Sequence, residues 1–223
     1  MIDPVPWKND LPLAPLRAFW ILAAVFLFPS LFLFFSMPMA YAMLLSSLLA
    51  LPACWGKSGE LGANMLSLSD LRIIFAAYFG IVLLGAVVSP LWEELIVKLN
   101  IECAKEQDIV ELFRSANARD RVLMLISTCI ITPVVEEVLF RRIFYDCFLR
   151  LTKNCGTAVI LTSMLFSVVH FFILGIPGLF IMGAGFQLVY LLKRNLSAAI
   201  ALHAVVNSIA SLAQLFLPEE LLN

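Results

Sequence analysis

A glutamate that no cation neutralises, set beside an imidazole, is a base able to take a proton from water. This 223-residue chain has two histidines, His170 and His203, and two adjoining glutamates, Glu136 and Glu137. Arg141 follows Glu137 by four positions, and Asn207 follows His203 by four. On a helix that spacing puts both members of a pair on one face. Glu137 and Arg141 can therefore pair and offset each other's burial cost. Glu136, about 100° round the helix, is left with another face. His203 and Asn207 offer an imidazole and an amide together, donors suited to the oxyanion that forms when water attacks an amide carbonyl. The chemistry is hydrolysis without a nucleophilic side chain.

The elements that carry these residues are oily. Hydrophobic residues make up 62% of the chain and charged residues 14%, and the mean hydropathy is +0.97. Soluble domains carry about 25% charged residues. A crossing takes roughly 20 apolar residues, so the length predicts an all-α polytopic transmembrane bundle of about seven crossings, or eight, and leaves no room for a separate soluble catalytic domain. The chain reads as a single membrane-embedded domain over 1–223. The uncharged run from Ala18 to Gly56 is too long for a cleaved signal. With a turn at Ser36 and Pro38 it makes a helical hairpin, 17–36 and 39–54. A polar loop with Lys57 and Glu60 leads to a third crossing at 71–91, closing at Ser89-Pro90. Residues 92–121 mix charged and apolar side chains at helical spacing, as an amphipathic interfacial helix or a cap does. The catalytic helices fill 122–217, at 122–149, 157–174, 178–192 and 196–217.

A charged side chain at mid-bilayer costs a few kcal/mol or more, so those present usually face one another or a wet cavity. Counted from the basic ends of their helices at roughly 1.5 Å per residue, Glu136 and His170 lie at roughly 20 Å, Asn207 at roughly 18 Å, and His203 and Arg141 at roughly 12 Å. Three helices thus present polar groups at overlapping depths. Lys8, Arg17, Lys57, Arg72, Arg150, Lys153, Lys193 and Arg194 gather on one side, which predicts a multi-pass protein of the plasma membrane with a cytoplasmic N-terminus. Lys98, Lys105, Arg114, Arg119 and Arg121 fall on the other side, accompanied by seven acidic residues. A net charge of −1 without a basic block excludes nucleic-acid binding. The five cysteines show no C-x-x-C spacing and read as apolar fillers.

Three motifs stand in order on separate apolar helices: E-E-x-x-x-R at Glu136, Glu137 and Arg141; F-x-x-x-H at Phe166 and His170; H-x-x-x-N at His203 and Asn207. Together with the Pro-x-x-Glu-Glu approach through Pro133 and with Phe140 before Arg141, they resemble the CPBP (Abi) family of intramembrane proteases, which includes the type II CAAX prenyl endopeptidase. The resemblance spans roughly 122–210. It implies a glutamate-dependent, metal-independent endopeptidase acting on a membrane-associated peptide or protein. Glu136 would be the general base, His170 would help to hold or activate the water, His203 and Asn207 would form the oxyanion pair, and Glu137 with Arg141 the supporting ion pair. Arg142 stands where relatives often have glycine.

Other readings of the same residues exist. The buried glutamates and histidines also suit the proton relay of a non-enzymatic carrier or bacteriocin-immunity protein. Two histidines and a glutamate match the ligand set of a catalytic zinc, but neither histidine lies in H-E-x-x-H, so no metal and no cofactor is expected. Glu93, Glu94 and Lys98 imitate the first motif, also after a proline, but sit in the amphipathic segment without a matching histidine helix. Trp92 beside them reads as an interfacial anchor. Gly175, Gly178, Gly183 and Gly185 suit close helix packing or a bend rather than a phosphate loop.

Overall fold

The computed structural model describes residues 15–54, 64–104 and 107–216. Among them there are helices and no strands. The first helix, α1, runs through Pro15–Leu22, a π-helical turn Ala23–Leu27 and Phe28–Phe34. It is followed by α2 (Met39–Cys54), α3 (Leu68–Lys98), the short α4 (Asp108–Ser115), α5 (Ala118–Thr152), α6 (Cys155–Val168), α7 (Ile176–Lys193) and α8 (Leu196–Phe216). Five of these, α1, α3, α5, α7 and α8, are long and apolar enough to cross a membrane, and α2 and α6 are shorter apolar helices. Outer faces carrying Phe75, Leu83, Val87, Ile160 and Leu188 remain exposed, as expected of surfaces that meet lipid. The expectations placed on Lys8, Lys57, Glu60 and Lys105 lie outside the described residues.

Two helix ends differ most from the sequence expectation. The third crossing runs on to Lys98 instead of closing at Pro90. Proline removes a single backbone donor. The extension is tied down by the Trp92 indole, which donates to the Ile173 carbonyl (2.9 Å), and by the Glu94–Lys98 pair. It ends where Asn100 takes a left-handed conformation (φ 53°), one that Asn tolerates well. In the opposite sense, the helix expected over 157–174 stops at Val168. Phe171 adopts φ 51°, and Gly175 with Pro177 starts α7 afresh. His170 therefore sits in a turn just beyond α6 and not within it.

Helix α7 is the centrepiece. It packs on α6, α3 and α8, and its glycines set how close it comes. A Cβ on Gly183 would meet the Phe166 Cβ at 3.2 Å, and one on Gly185 would meet Ile81 Cδ1 at 2.7 Å. The core gathers around this helix in Leu139, Phe140, Phe166, Phe186, Tyr190 and Leu202, all at most 2% exposed. Several contacts unite the basic helix ends. Arg17 donates to the Ala53 carbonyl (2.9 and 3.0 Å), and Lys193 meets Ser69 (2.8 Å) and Asp70 (3.2 Å). The five cysteines are free thiols.

Candidate active site

The site grows from an irregularity in α5. The helix is started by Asn117, whose side chain accepts from the Asp120 amide (3.0 Å), and it contains two π-helical turns, Ser127–Ile131 and Leu139–Phe144. The glutamates stand on the α-helical segment between them, Thr132–Val138. In the first π turn the Thr132 amide donates to Ser127. The next carbonyl, Thr128, would look five residues on to Pro133, which has no N–H to give. The Asn207 amide fills the gap, donating to Thr128 O at 2.9 Å. A proline in one helix thus creates the acceptor by which another is docked.

Glu137 and Arg141 are both fully buried and form a forked pair, Nε to Oε2 at 2.7 Å and Nη2 to Oε1 at 3.3 Å. Such a fork satisfies both carboxylate oxygens and fixes their plane. The third guanidinium contact is Nη1 to Gln187 Oε1 at 3.0 Å. Glu137 Oε1 also receives His203 Nδ1 at 2.9 Å. Because that carboxylate is an acceptor, the imidazole carries its proton on Nδ1 there and presents Nε2 on the other side. Nε2 lies 3.8 Å from Glu136 Oε2. Glu136 itself is part-exposed, its side chain 20% accessible against zero for Glu137. The adjoining glutamates therefore have separate environments, one locked and one facing space.

That space is a cavity of about 720 Å³ lined by Glu136, His170, His203 and Asn207 together with Phe166, Phe186, Met39, Met43 and Met182. Ala104, Gln107, Ile109 and Leu112 also line it. His170 Nδ1 lies 2.6 Å from the Phe166 carbonyl, which can only accept, so the ring caps the end of α6 and keeps Nε2 for the cavity. Phe166 is 1% exposed and packs between both imidazoles, its centroid 4.8 Å from His170 and 5.9 Å from His203. Phe186 stacks on His203 at 4.6 Å and 20°.

The structure brings together all six residues singled out by type and spacing, but it gives His203 and Asn207 more partners than the sequence reading foresaw. His203 spans the two glutamates, and one amide hydrogen of Asn207 is committed to Thr128. Arg142 is buried with its Nε 3.7 Å from Asp146 Oδ2. Sequence reasoning missed Gln187 and Phe186. The available signal was a lone amide in the otherwise apolar α7. Gln187 is fully buried, and its Nε2 has no hydrogen-bond partner among the described residues, an orphan that costs about 1–3 kcal/mol. No set of three His, Cys, Asp or Glu side chains among the described residues is gathered to hold a metal ion.

With this geometry in view, the comparison with known families is specific. Residues 118–209 match the family described as type II CAAX prenyl endopeptidase Rce1-like. The Rce1-like segment opens on the first residue of α5 and closes two residues past Asn207, so it contains every member of the cluster. It agrees with the CPBP resemblance carried by the three motifs, and it supports a CAAX-type intramembrane protease family. α1 to α4 precede the Rce1-like segment. No curated protein and no solved structure matches the chain.

Proposed function

We propose that this protein is an intramembrane endopeptidase that hydrolyses a peptide bond in a membrane-associated substrate, with Glu136 as general base. The observation that carries the reading is the convergence of a part-exposed carboxylate and two imidazoles on one cavity, beside a second carboxylate that is fully neutralised. A water held between Glu136 and His170 Nε2 gives its proton to Glu136 as its oxygen adds to the substrate carbonyl carbon. The carbonyl oxygen becomes an oxyanion, stabilised by the remaining Asn207 amide hydrogen and by His203 Nε2–H when that ring carries both protons. Collapse breaks the C–N bond, and Glu136 returns the proton to the leaving amine. Glu137 and Arg141 keep His203 in register. No metal or cofactor is required by these steps. The basic helix ends support a multi-pass plasma-membrane protein with a cytoplasmic N-terminus.

A prenylated peptide ending in a CAAX box is the first substrate to offer, with a signal peptide, a bacteriocin leader and a sorting tail as further candidates. The experiment compares Glu136→Gln with the parent in proteoliposomes, following each peptide by mass spectrometry. Cleavage by the parent that disappears in the folded variant supports the reading. Equal cleavage by both overturns it, as does loss after chelation that added zinc restores. Ion-driven transport without cleavage would point instead to a relay through Glu136, His203 and Glu137.

A further inference from the structure

We propose that Gln187 is a positioning residue for this hydrolytic centre, acting on His203 through Arg141 and Glu137; the inference rests on the endopeptidase reading. The four side chains form one continuous hydrogen-bonded line. Gln187 Oε1 accepts from Arg141 Nη1 at 3.0 Å, Arg141 forks onto Glu137, and Glu137 Oε1 takes the His203 Nδ1 proton at 2.9 Å. Gln187, Glu137 and Arg141 have no exposure and His203 has 3%, so water does not hold the line in place. A guanidinium has five donors in one plane, and two of its directions are taken by Glu137. The Gln187 oxygen fixes a third and stops the plane from turning about the Arg141–Glu137 axis.

The glutamine's own hydrogen bonding shows what it is kept for. Its amide nitrogen is buried without a partner, and rotating the amide would turn that nitrogen toward the guanidinium, donor against donor. Only the oxygen is used. An apolar side chain would fill the same space without an orphaned donor, so packing alone gives no reason for an amide here. The neighbouring residue on α7 works toward the same end, since Phe186 stacks flat on the His203 ring. Two successive residues of α7 thereby set the ring plane and the proton position of one imidazole.

The chain has two histidines, so ¹⁵N-histidine labelling of the full-length protein, purified through a tag without histidine, gives a spectrum that His170→Gln assigns. The parent should show His203 with its proton on Nδ1. Gln187→Met, which removes the acceptor oxygen, should replace that signature with a mixture of ring forms, whereas Gln187→Glu, which keeps an oxygen at the same reach, should retain it. With a cleaved reporter peptide, Gln187→Met should lower kcat at least about tenfold while KM stays within about twofold, the pattern of a group that acts at the transition state. A parent-like His203 spectrum in Gln187→Met overturns the proposal, as does a Gln187→Glu spectrum as disturbed as that of Met. If the Met variant does not fold, Gln187→Asn, one methylene short of the guanidinium, takes its place under the same two outcomes. The spectrum is read without turnover, so a chain that cleaves no peptide yet shows these shifts would sink the endopeptidase reading and leave the positioning role standing.

Discussion

The chain writes Pro-x-x-Glu-Glu twice, each time with a basic residue four positions after the second glutamate: Pro90, Glu93, Glu94 and Lys98, then Pro133, Glu136, Glu137 and Arg141. Both copies are helical, and both make the i,i+4 pair at nearly the same distance, 2.6 Å in the first and 2.7 Å in the second. Their surroundings are opposite. Glu94 and Lys98 are 60% and 70% exposed, whereas Glu137 and Arg141 have no exposure. The first copy lies at the tail of α3, where its pair is screened by solvent and contributes little. The second has its glutamates between two π turns and its arginine in the second of them, with the turn that follows α6, then α7 and α8, supplying His170, Gln187 and His203. Local pattern makes an ion pair in both places, and only tertiary surroundings turn one of them into a candidate site.

That contrast can be broken most severely at the first glutamate of each copy. Glu136→Gln should lower cleavage of a reporter peptide by about 10²–10⁴-fold, the range lost with a general base, while Glu93→Gln should stay within about twofold. The basic residues come next. Arg141→Met leaves the Glu137 carboxylate buried without its cation, at a cost of about 3–5 kcal/mol, and Lys98→Met should cost about 0–1 kcal/mol, both read by thermal unfolding in detergent. Exchanging the cations sharpens the point: Arg141→Lys loses the fork and should reduce kcat about tenfold or more with modest destabilisation, whereas Lys98→Arg should be silent. The prolines give the smallest effect. Pro133→Ala supplies an N–H that competes with Asn207 for the Thr128 carbonyl and should reduce kcat a few-fold, and Pro90→Ala should leave kcat unchanged and raise stability by about 1 kcal/mol or more. Equal responses in the two copies at any of these positions would remove the distinction.

Much of this was legible beforehand because the signals are strong and local. Apolar runs broken by turn residues announce helices in a membrane, and charged groups inside such runs are rare enough to be noticed. The Glu137–Arg141 pair follows from spacing alone. What stayed hidden depended on partners distant in sequence. Nothing near Pro90 shows that Trp92 finds the Ile173 carbonyl 81 residues on, so α3 outran its expected end. Nothing near His170 shows that its own ring will occupy the Phe166 carbonyl and that α6 will stop before it. The π turns were invisible to a count at 3.6 residues per turn, and with them the acceptor that claims Asn207. Gln187 gives a weaker signal than the charged residues, because an uncharged amide costs less in an apolar helix and so stands out less.

The break at the end of α6 has a consequence for supply. Peptide groups deep in a bilayer that leave the helical ladder are tolerated where protein covers them or where moisture reaches them, and the irregular stretch from Val169 to Gly175 borders the hollow. The bend that swings an imidazole inward thus also brings peptide groups to the rim of the hollow, and under the endopeptidase reading proposed above it is there that the water consumed in each cleavage would enter.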